Sequence, residues 1–258
     1  MDFIKKVSFK KKILKFIPPI IFEIYERIVR RSNSTYTGIF YTLDDLKKTL
    51  RQNSLYLNKE FDISAASDFF YAINNPVFFS RSTQRSGLLI ELLLRLNFKD
   101  KKTNILDYGG ANNPQFPHLS RDMQEKTRHY IVDRIELISL IKENPKFFSL
   151  NKNIQLIVPD EFKKLETKID IAFFGSTVQY LDELYDILKL LSGKGCRYII
   201  ISDSIFSDFT FDIYVKQINM RPSVFPNKWH SKKVFNGYMS DLGYGLIANW
   251  KISSNNKH

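Results

Sequence analysis

The sequence is poor in the residues that build disulfides and metal centres. It has one cysteine, Cys196, and four histidines among 258 residues. A single cysteine excludes an intramolecular disulfide and any cysteine-cluster site for zinc or iron–sulfur, and four histidines leave few ligands for another metal. We therefore expect a reducing, cytoplasmic setting and no metal site.

A long apolar run is also missing. No apolar stretch approaches the roughly 18 residues that span a bilayer, and the first residues lack the continuous apolar core of a secretory signal peptide. Apolar residues nevertheless make up 43% of the chain and aromatic residues 14%. This composition excludes a disordered protein and is sufficient for one sizeable core with an appendage.

The net charge of +12 is concentrated near the start of the chain. Nine basic and three acidic residues lie within residues 1–31, so half of the net charge falls in an eighth of the sequence. Over residues 1–17 the lysines alternate with apolar residues at helical spacing, and Pro18 and Pro19 end this pattern. These 17 residues are predicted either to lie on an anionic membrane face, at the inner membrane, or to form a solvated helix packed on the domain.

Residues 32–258 carry no basic stripe with interleaved aromatic residues, so we expect no nucleic-acid partner. Residues 32–102 contain a clear helical pattern at 87–97 and are predicted to form a helical cap. Residues 103–258 are predicted to form the main domain. Nothing in the sequence indicates an oligomeric state.

From Lys102 onward, short apolar segments alternate with helical ones. Five strands are predicted at residues 104–108, 130–133, 154–158, 169–174 and 197–202. Helices are predicted at residues 114–126, 135–143, 182–191 and 231–242, followed by a strand at 245–250. This alternation is typical of βαβ units and predicts an α/β fold with a doubly wound, mostly parallel Rossmann-like sheet flanked by helices.

The carboxyl ends of the first two strands carry the residues that favour a nucleotide-like ligand. In an open α/β sheet, ligands bind beyond these ends where the strand order reverses. Asp107 is followed by Gly109, Gly110 and Ala111, small residues that permit a tight turn and close approach of the backbone to a ligand. Asp133, about twenty residues later, stands where a carboxylate accepts hydrogen bonds from a ribose diol. Alternatively, Asp107 caps the turn and Asp133 caps the helix that follows it.

Residues 105–111 resemble the first motif of S-adenosylmethionine-dependent methyltransferases of the Rossmann-like class. That motif has an acidic residue followed by three glycines at alternate positions, and here Ala111 and Asn113 replace the second and third glycine. A closer resemblance is to a family of methyltransferases found among bacterial surface-polysaccharide genes. That family carries a Leu-Asp-x-Gly-Gly-Ala turn, a Leu-Gln-Tyr-Leu-like stretch and a late Pro-Ser-x-x-Pro segment, which correspond here to residues 106–111, 178–181 and 222–226.

The resemblance implies S-adenosyl-L-methionine as cofactor and assigns roles by position. The methionine part would be held by Asp107, Gly109, Gly110 and Ala111, the ribose by Asp133 and the adenine by Asp160. Gly175 and Ser176 would lie beneath the donor methyl group, and Gln179 and Tyr180 would face the acceptor. The alternatives are a helix-terminal role for Asp160 and a packing role for Gln179 and Tyr180.

The expected reaction is in-line methyl transfer to a hydroxyl or similar group of a sugar or other small or surface-glycan precursor. A hydroxyl acceptor needs a base. The candidates are Asp203, Asp208, His118 and His230. Trp229 and Phe225 either line a substrate pocket or pack in the core.

Three other functions were weighed. A nicotinamide-dependent oxidoreductase requires a Gly-x-Gly-x-x-Gly turn that the sequence does not supply. A nucleic-acid amino methyltransferase is disfavoured because no Asn-Pro-Pro-Tyr-type stretch follows the fourth strand. A noncatalytic binding or scaffold protein with the methyltransferase fold remains the main alternative, since the glycine pattern is atypical and only eight residues follow Trp250. The seventh strand of the class would be missing, very short or supplied by residues 213–218.

Overall fold

The computed structural model describes residues 35–50, 59–74, 80–96, 102–146, 152–218 and 224–249. The basic segment at residues 1–31 lies outside these ranges, so the predicted amphipathic helix is not described. Within the ranges, no helix combines the length and the apolar character needed to cross a membrane.

The described strands and helices are numbered here in chain order. They are β1 (Thr35–Phe40), α1 (Leu43–Thr49), α2 (Lys59–Asn74), α3 (Ser80–Leu96), β2 (Thr103–Tyr108), α4 (Arg121–Lys126), β3 (Thr127–Val132), α5 (Ile135–Glu143), β4 (Ile154–Ile157), α6 (Pro159–Lys164), β5 (Ile171–Gly175), α7 (Leu184–Gly193), β6 (Tyr198–Ser202), β7 (Phe206–Ser207), β8 (Ile213–Ile218), β9 (Val224–Ser231) and α8 (Lys232–Asp241). Short 3₁₀ turns lie at Phe116–His118 and Val178–Tyr180.

Five parallel strands form the central sheet, in the order β4-β3-β2-β5-β6. The chain runs from β2 outward to β4 and then returns to place β5 on the other side of β2. The strand order therefore reverses between β2 and β5, which is the switch point of a doubly wound sheet. The predicted fold class and all five predicted strands are confirmed, with ends shifted by at most three residues.

Helices cover both faces of the sheet. Leu106, Tyr130 and Phe174 belong to the buried cluster packed on α6, α7 and α8. On the opposite face, Ile131 packs with α2 and α5, and Phe173 packs with α3. Neighbouring residues of one strand, such as Phe173 and Phe174, thus face opposite helical layers, as strand geometry requires.

Residues 32–102 are predicted to form a helical cap, and the described helices of that region pack on the central sheet. Helix α2 buries Phe69 and Phe70 against α5 and the sheet, and α3 buries Leu89 and Leu93 against β2 and β5. The apolar stripes of these helices are therefore used to complete the layer over the central sheet. The segment β1 is a strand, and it belongs to a second sheet.

This second sheet has the order β1-β8-β9-β7. Strand β8 runs antiparallel to both β1 and β9, and the short β7 runs parallel to β9. Residues 213–218 are therefore a strand, but they pair in the second sheet and do not supply a seventh strand to the central one. Two hydrogen bonds join the turn at Val178–Tyr180 to the second sheet, one to Gln217 on β8 and one to His230 on β9. The second sheet therefore lies beside the carboxyl edge of the central sheet.

Two further predictions are corrected by the structure. Residues 114–126 do not form one helix, because the 3₁₀ turn at Phe116–His118 ends before Ser120, whose side chain caps α4 by accepting from the Met123 amide at 3.4 Å. Residues 245–249 do not form a strand. Leu246 and Ile247 there are 73% and 82% exposed, with no described strand paired to them.

Candidate active site

The turn after β2 requires glycine at two positions. Gly109 has a φ of +74°, and a Cβ atom there would lie 2.5 Å from Cγ2 of Thr177. A Cβ atom on Gly110 would lie 2.3 Å from the carboxylate carbon of Asp107. Such distances exclude any larger residue without movement of the backbone. The two glycines therefore let the turn pack against the end of β5 and against Asp107.

Asp107, at the end of β2, holds the loop that follows this turn. Its side chain is 1% exposed, and its Oδ2 accepts a hydrogen bond of 2.9 Å from the backbone amide of Gln115. The Gln115 side chain in turn accepts from Ser86 Oγ at 2.7 Å and donates to the carbonyl of Asn113 at 3.1 Å. The structure thus places Asp107 in the turn-capping role that was its alternative. It fixes the loop that carries the turn amides.

Asp133 follows β3 directly and lies beside the same turn. Its Oδ2 accepts from the amide of Ala111 at 3.1 Å, and its Oδ1 accepts from the amide of Arg134 at 2.8 Å. A carboxylate has about four acceptor positions, of which these bonds use two. Burial raises the pKa of Asp133, although both backbone bonds and the charge of Arg134 act in the opposite direction. Arg134 is the N-cap of α5, without a capping side chain, so the capping alternative for Asp133 is not formed.

A buried ion pair fixes the backbone next to Asp133. The guanidinium of Arg134 contacts the carboxylate of Asp62, whose side chain is 5% exposed. Asp62 belongs to α2, so the pair joins this helix to the start of α5. The sequence analysis did not select Asp62 or Arg134, because 72 residues separate them and no local pattern relates the two.

Strands β5 and β6 end in two residues with left-handed backbone. Ser176 has a φ of +56° and Asp203 a φ of +49°. The amide of Ser176 donates to the carbonyl of Ser202 at 2.9 Å, so the two strand ends are adjacent. This conformation costs about 1–2 kcal/mol for a residue with a side chain and is concentrated at functional sites. Both residues were candidate site residues from the sequence.

The turn at Val178–Tyr180 joins this edge to the second sheet. Gln179 donates through Nε2 to the carbonyl of Ser176 at 3.0 Å, and its Oε1 is buried without a hydrogen-bond partner. The Tyr180 hydroxyl donates to Oε1 of Gln217 at 2.8 Å. Burial raises the pKa of Tyr180, so its phenol remains a hydrogen-bond donor at neutral pH. Tyr180 therefore ties the turn to β8 and is a poor candidate for a base.

His230 is buried between β9 and the turn after β5. Its side chain is fully buried, with Nε2 3.1 Å from the carbonyl of Val178 and Nδ1 3.4 Å from Asp212. Lys228 contacts the same carboxylate at 3.3 Å. The candidate base His230 is therefore corrected to a structural residue that joins β9 to the turn after β5. Asp212 was not selected from the sequence, because only the pairing of β8 with β9 brings it to His230.

Three other candidates lie on neighbouring elements. The Asp160 side chain is 80% exposed and pairs with Lys163 at 3.5 Å in the first turn of α6. This position fits the helix-terminal alternative, and the adenine role of Asp160 stays a prediction. His118 lies in the 3₁₀ turn that precedes α4. Phe225 is 6% exposed and packs in the core, which was its second alternative.

A cavity of about 440 Å³ opens next to the end of β6. It is lined by Phe206, Ser207, Asp208, Phe209 and Trp229. Of the four candidate bases, only Asp208 lines it. Among the described residues, the Ser207 hydroxyl and Nε1 of Trp229 are buried and have no hydrogen-bond partner, and an unmet polar group of this kind costs about 1–3 kcal/mol. The run of aromatic, serine, aspartate and aromatic residues at 206–209 was the available sequence signal for this cavity.

Comparisons with known proteins give structural matches only. Neither a protein-family model nor a curated protein matches the chain. The N-terminal domain of EvdMO1, determined in the presence of SAH and D-fucose, is similar at a TM-score of 0.45 and 15% identity, over 64% of this chain and 73% of that chain. A S-adenosylmethionine-dependent methyltransferase from Clostridium acetobutylicum is similar at a TM-score of 0.41 and 14% identity, over 69% and 87%. One from Aquifex aeolicus is similar at a TM-score of 0.38 and 20% identity, over 62% and 87%. The fold assignment rests on the strand order of the central sheet.

Proposed function

We propose that this protein is a S-adenosylmethionine-dependent methyltransferase that methylates a hydroxyl group of a sugar or other small glycan precursor. The observation that carries the proposal is the position of Asp133. Its carboxylate lies at the end of β3, beside the turn after β2 that borders the switch point. It is fixed by the amide of Ala111 and keeps acceptor positions for a diol. This is the arrangement that the sequence motif at residues 105–111 implies.

The residues at this edge fit the cofactor chemically. Asp133 would accept hydrogen bonds from the ribose hydroxyls, and the Gly109–Ala111 turn, anchored by Asp107, would hold the methionine part. Gly175 and Ser176, at the end of β5, would lie nearest to the reacting atoms. When bound, S-adenosylmethionine supplies a methyl group carried on a positively charged sulfur. The protein mainly has to orient the acceptor and exclude water.

The acceptor side is formed by the ends of β6 and β7. Asp208 lines the cavity there and is exposed, so it is the proposed acceptor of the hydroxyl proton. Asp203 is the second candidate because it directly follows β6. Gln179 lies in the turn after β5 and would face the acceptor.

Calorimetry tests the cofactor part of this proposal. We expect the intact protein to bind S-adenosylmethionine and S-adenosylhomocysteine with micromolar affinity, and Asp133→Ala to abolish the binding. Asp122→Ala is the control, because this carboxylate is 71% exposed on α4 and has no assigned part in the site. If the intact protein bound neither compound, a noncatalytic binding or scaffold protein would be the better assignment.

We also propose that residues 1–17 bring the enzyme to an anionic membrane face, because the net charge is concentrated in the first 31 residues. Sedimentation with phosphatidylglycerol vesicles tests this proposal on the full chain. The triple variant Lys10→Glu, Lys11→Glu and Lys12→Glu should lose most of the association at low salt. Equal sedimentation of the wild type and the variant would refute it.

A further inference from the structure

We propose that Asp62 on α2 is a positioning residue, which holds the Arg134 guanidinium away from Asp133 and thereby keeps that carboxylate open to the ribose hydroxyls. This inference rests on the proposed cofactor binding and adds a residue to it. Asp62 acts through the cation that follows Asp133 in the chain, and not through contact with the cofactor.

The guanidinium of Arg134 has two carboxylates within its span. It contacts the carboxylate of Asp62. The carboxylate of Asp133 lies 2.8 Å from the backbone nitrogen of Arg134 itself, and an arginine side chain is long enough to turn back to an oxygen in that position. Burial is the main cause that raises the pKa of Asp133, and the charges of Arg134 and Asp62 also act on it, in opposite directions. The three groups therefore lie within electrostatic range of one another.

Burial decides which of the two carboxylates takes the cation. The Asp62 side chain is 5% exposed, and a carboxylate in such a position is costly unless a cation pairs with it. Asp133 already accepts hydrogen bonds from the amides of Ala111 and Arg134. With the Asp62 charge in place, the guanidinium stays on α2, and the remaining acceptor positions of Asp133 stay open.

Removal of the Asp62 charge turns this arrangement against the cofactor. A planar guanidinium pairs with a carboxylate through two parallel hydrogen bonds, and on Asp133 these would take the acceptor positions that a ribose diol needs. A ligand binds only those molecules whose site is open, so a guanidinium that occupies Asp133 for about nine tenths of the time weakens binding about tenfold. A role confined to fastening α2 to α5 predicts no such competition.

Calorimetry with S-adenosylhomocysteine on two variants separates these roles. We expect Asp62→Asn to bind about tenfold more weakly than the wild type, and Asp62→Asn combined with Arg134→Gln to bind within about threefold of the wild type. The double variant keeps the backbone amide of residue 134 that holds Asp133. It removes the charge pair as a whole, so we expect it to fold.

Asp68→Asn is the matched control, because Asp68 lies six residues further along α2 and on another side of the helix. It should bind S-adenosylhomocysteine as the wild type does. Asp62→Ser should behave as Asp62→Asn does, and it replaces that variant if the amide does not fit the site. Unchanged affinity without the Asp62 charge, or a double variant that binds as weakly as the single one, would overturn the proposal.

A crystal structure of Asp62→Asn without ligand separates this proposal from the methyltransferase assignment. We expect the Arg134 guanidinium to lie within hydrogen-bond distance of the Asp133 carboxylate. If it did so while the wild type bound no S-adenosylhomocysteine, the methyltransferase would be refuted and the role of Asp62 would stand. If the wild type bound S-adenosylhomocysteine and the guanidinium of the variant stayed away from Asp133, the role of Asp62 alone would be refuted.

Discussion

The Tyr180 hydroxyl donates a hydrogen bond of 2.8 Å to Oε1 of Gln217, and these two residues join the central sheet to the second sheet. Asn227 donates to the same oxygen at 2.9 Å, so Gln217 is held from β9 as well. Gln217 is on β8, and Tyr180 is in the turn after β5. This small network therefore fixes the second sheet relative to the carboxyl edge of the central sheet.

Tyr180→Phe should therefore affect stability more than cofactor binding. The variant loses one buried hydrogen bond, and we expect the free energy of unfolding to fall by about 1 kcal/mol. The affinity for S-adenosylhomocysteine should stay within twofold of the wild type. Urea unfolding and calorimetry measure the two quantities. A tenfold loss of S-adenosylhomocysteine affinity would instead give the phenol a direct role in cofactor binding.

Asp133→Asn should separate stability from binding. Burial raises the pKa of Asp133 in the folded protein, so the folded state binds this proton more tightly than the unfolded state does. Stability therefore falls as pH rises through the window between the unfolded and folded pKa values, and the ionised carboxylate opposes folding at neutral pH. The asparagine variant lacks this fall. Its amide nitrogen cannot accept, so one of the bonds from the amides of Ala111 and Arg134 is lost. We expect the two effects to leave its stability at pH 7 within about 1–2 kcal/mol of the wild type, while S-adenosylhomocysteine binds about 10- to 100-fold more weakly. A large loss of stability would contradict this account.

Asp212→Asn should destabilise the protein because it leaves Lys228 in a partly buried site without its carboxylate. Lys228 is 12% exposed in its side chain and lies 3.3 Å from Asp212, and we expect a cost of about 3 kcal/mol. Asp122→Asn removes an ion pair whose carboxylate is 71% exposed and should cost less than about 1 kcal/mol. Equal effects of the two substitutions on urea unfolding would refute the prediction.

Asp212 should also make the stability of the fold sensitive to acid. Burial alone would raise the pKa of Asp212. The hydrogen bonds of this carboxylate to His230 and Ser231 and the charge of Lys228 outweigh burial and hold the pKa at about 2. A lowered carboxylate pKa gives stability that is present above the unfolded value and is lost as pH falls toward the folded one. The wild type should lose this contribution between about pH 4 and 2, and Asp212→Asn should not.

His129 should make the fold sensitive to milder acid. Burial lowers its pKa to about 3, so it is neutral in the folded protein while the unfolded chain is protonated near pH 6.5. Stability should consequently fall as pH decreases from about 6.5 to 3. His129→Phe removes this slope. The substitution also removes two buried ring nitrogens that have no hydrogen-bond partner among the described residues, and it keeps the edge-on contact with Phe116. We therefore expect the free energy of unfolding at pH 7 to rise by about 1 kcal/mol. Urea unfolding at pH 7, 5 and 4 checks both effects, and an unchanged slope would refute the assignment.

Cys196 should be inert in the folded state. Burial raises the pKa of its thiol to about 11, and the side chain is enclosed beneath Tyr244 and the end of α7. We expect a disulfide reagent to react with it only at the rate of unfolding, and at once in urea. Rapid stoichiometric reaction without denaturant would contradict this burial.

Much of the central sheet could be predicted from the sequence because its strands are short apolar segments at regular spacing, and strand β2 ends in a recognisable turn. The sequence therefore correctly predicted that Asp107 and Gly109 lie at the carboxyl end of β2 and that Asp133 lies at the carboxyl end of β3. The sequence left two alternatives open for Asp107 and did not predict the contacts of His230, since both depend on partners such as Gln115 and Asp212 that are brought to them only by folding.

The amino-acid pattern by itself determined the parallel sheet, the order of its strands and helices along the chain, and the carboxylates that follow the strands. These are local properties, set by the period of apolar residues and by small residues at turns. Tertiary structure alone decided that α2 and α3 complete the helical layer and that β1, β8, β9 and β7 form a second sheet. It also decided which polar atoms remain without partners beside the cavity. Pairing between segments as far apart as residues 36 and 217 depends on which partner buries the most surface, and no local pattern carries that information.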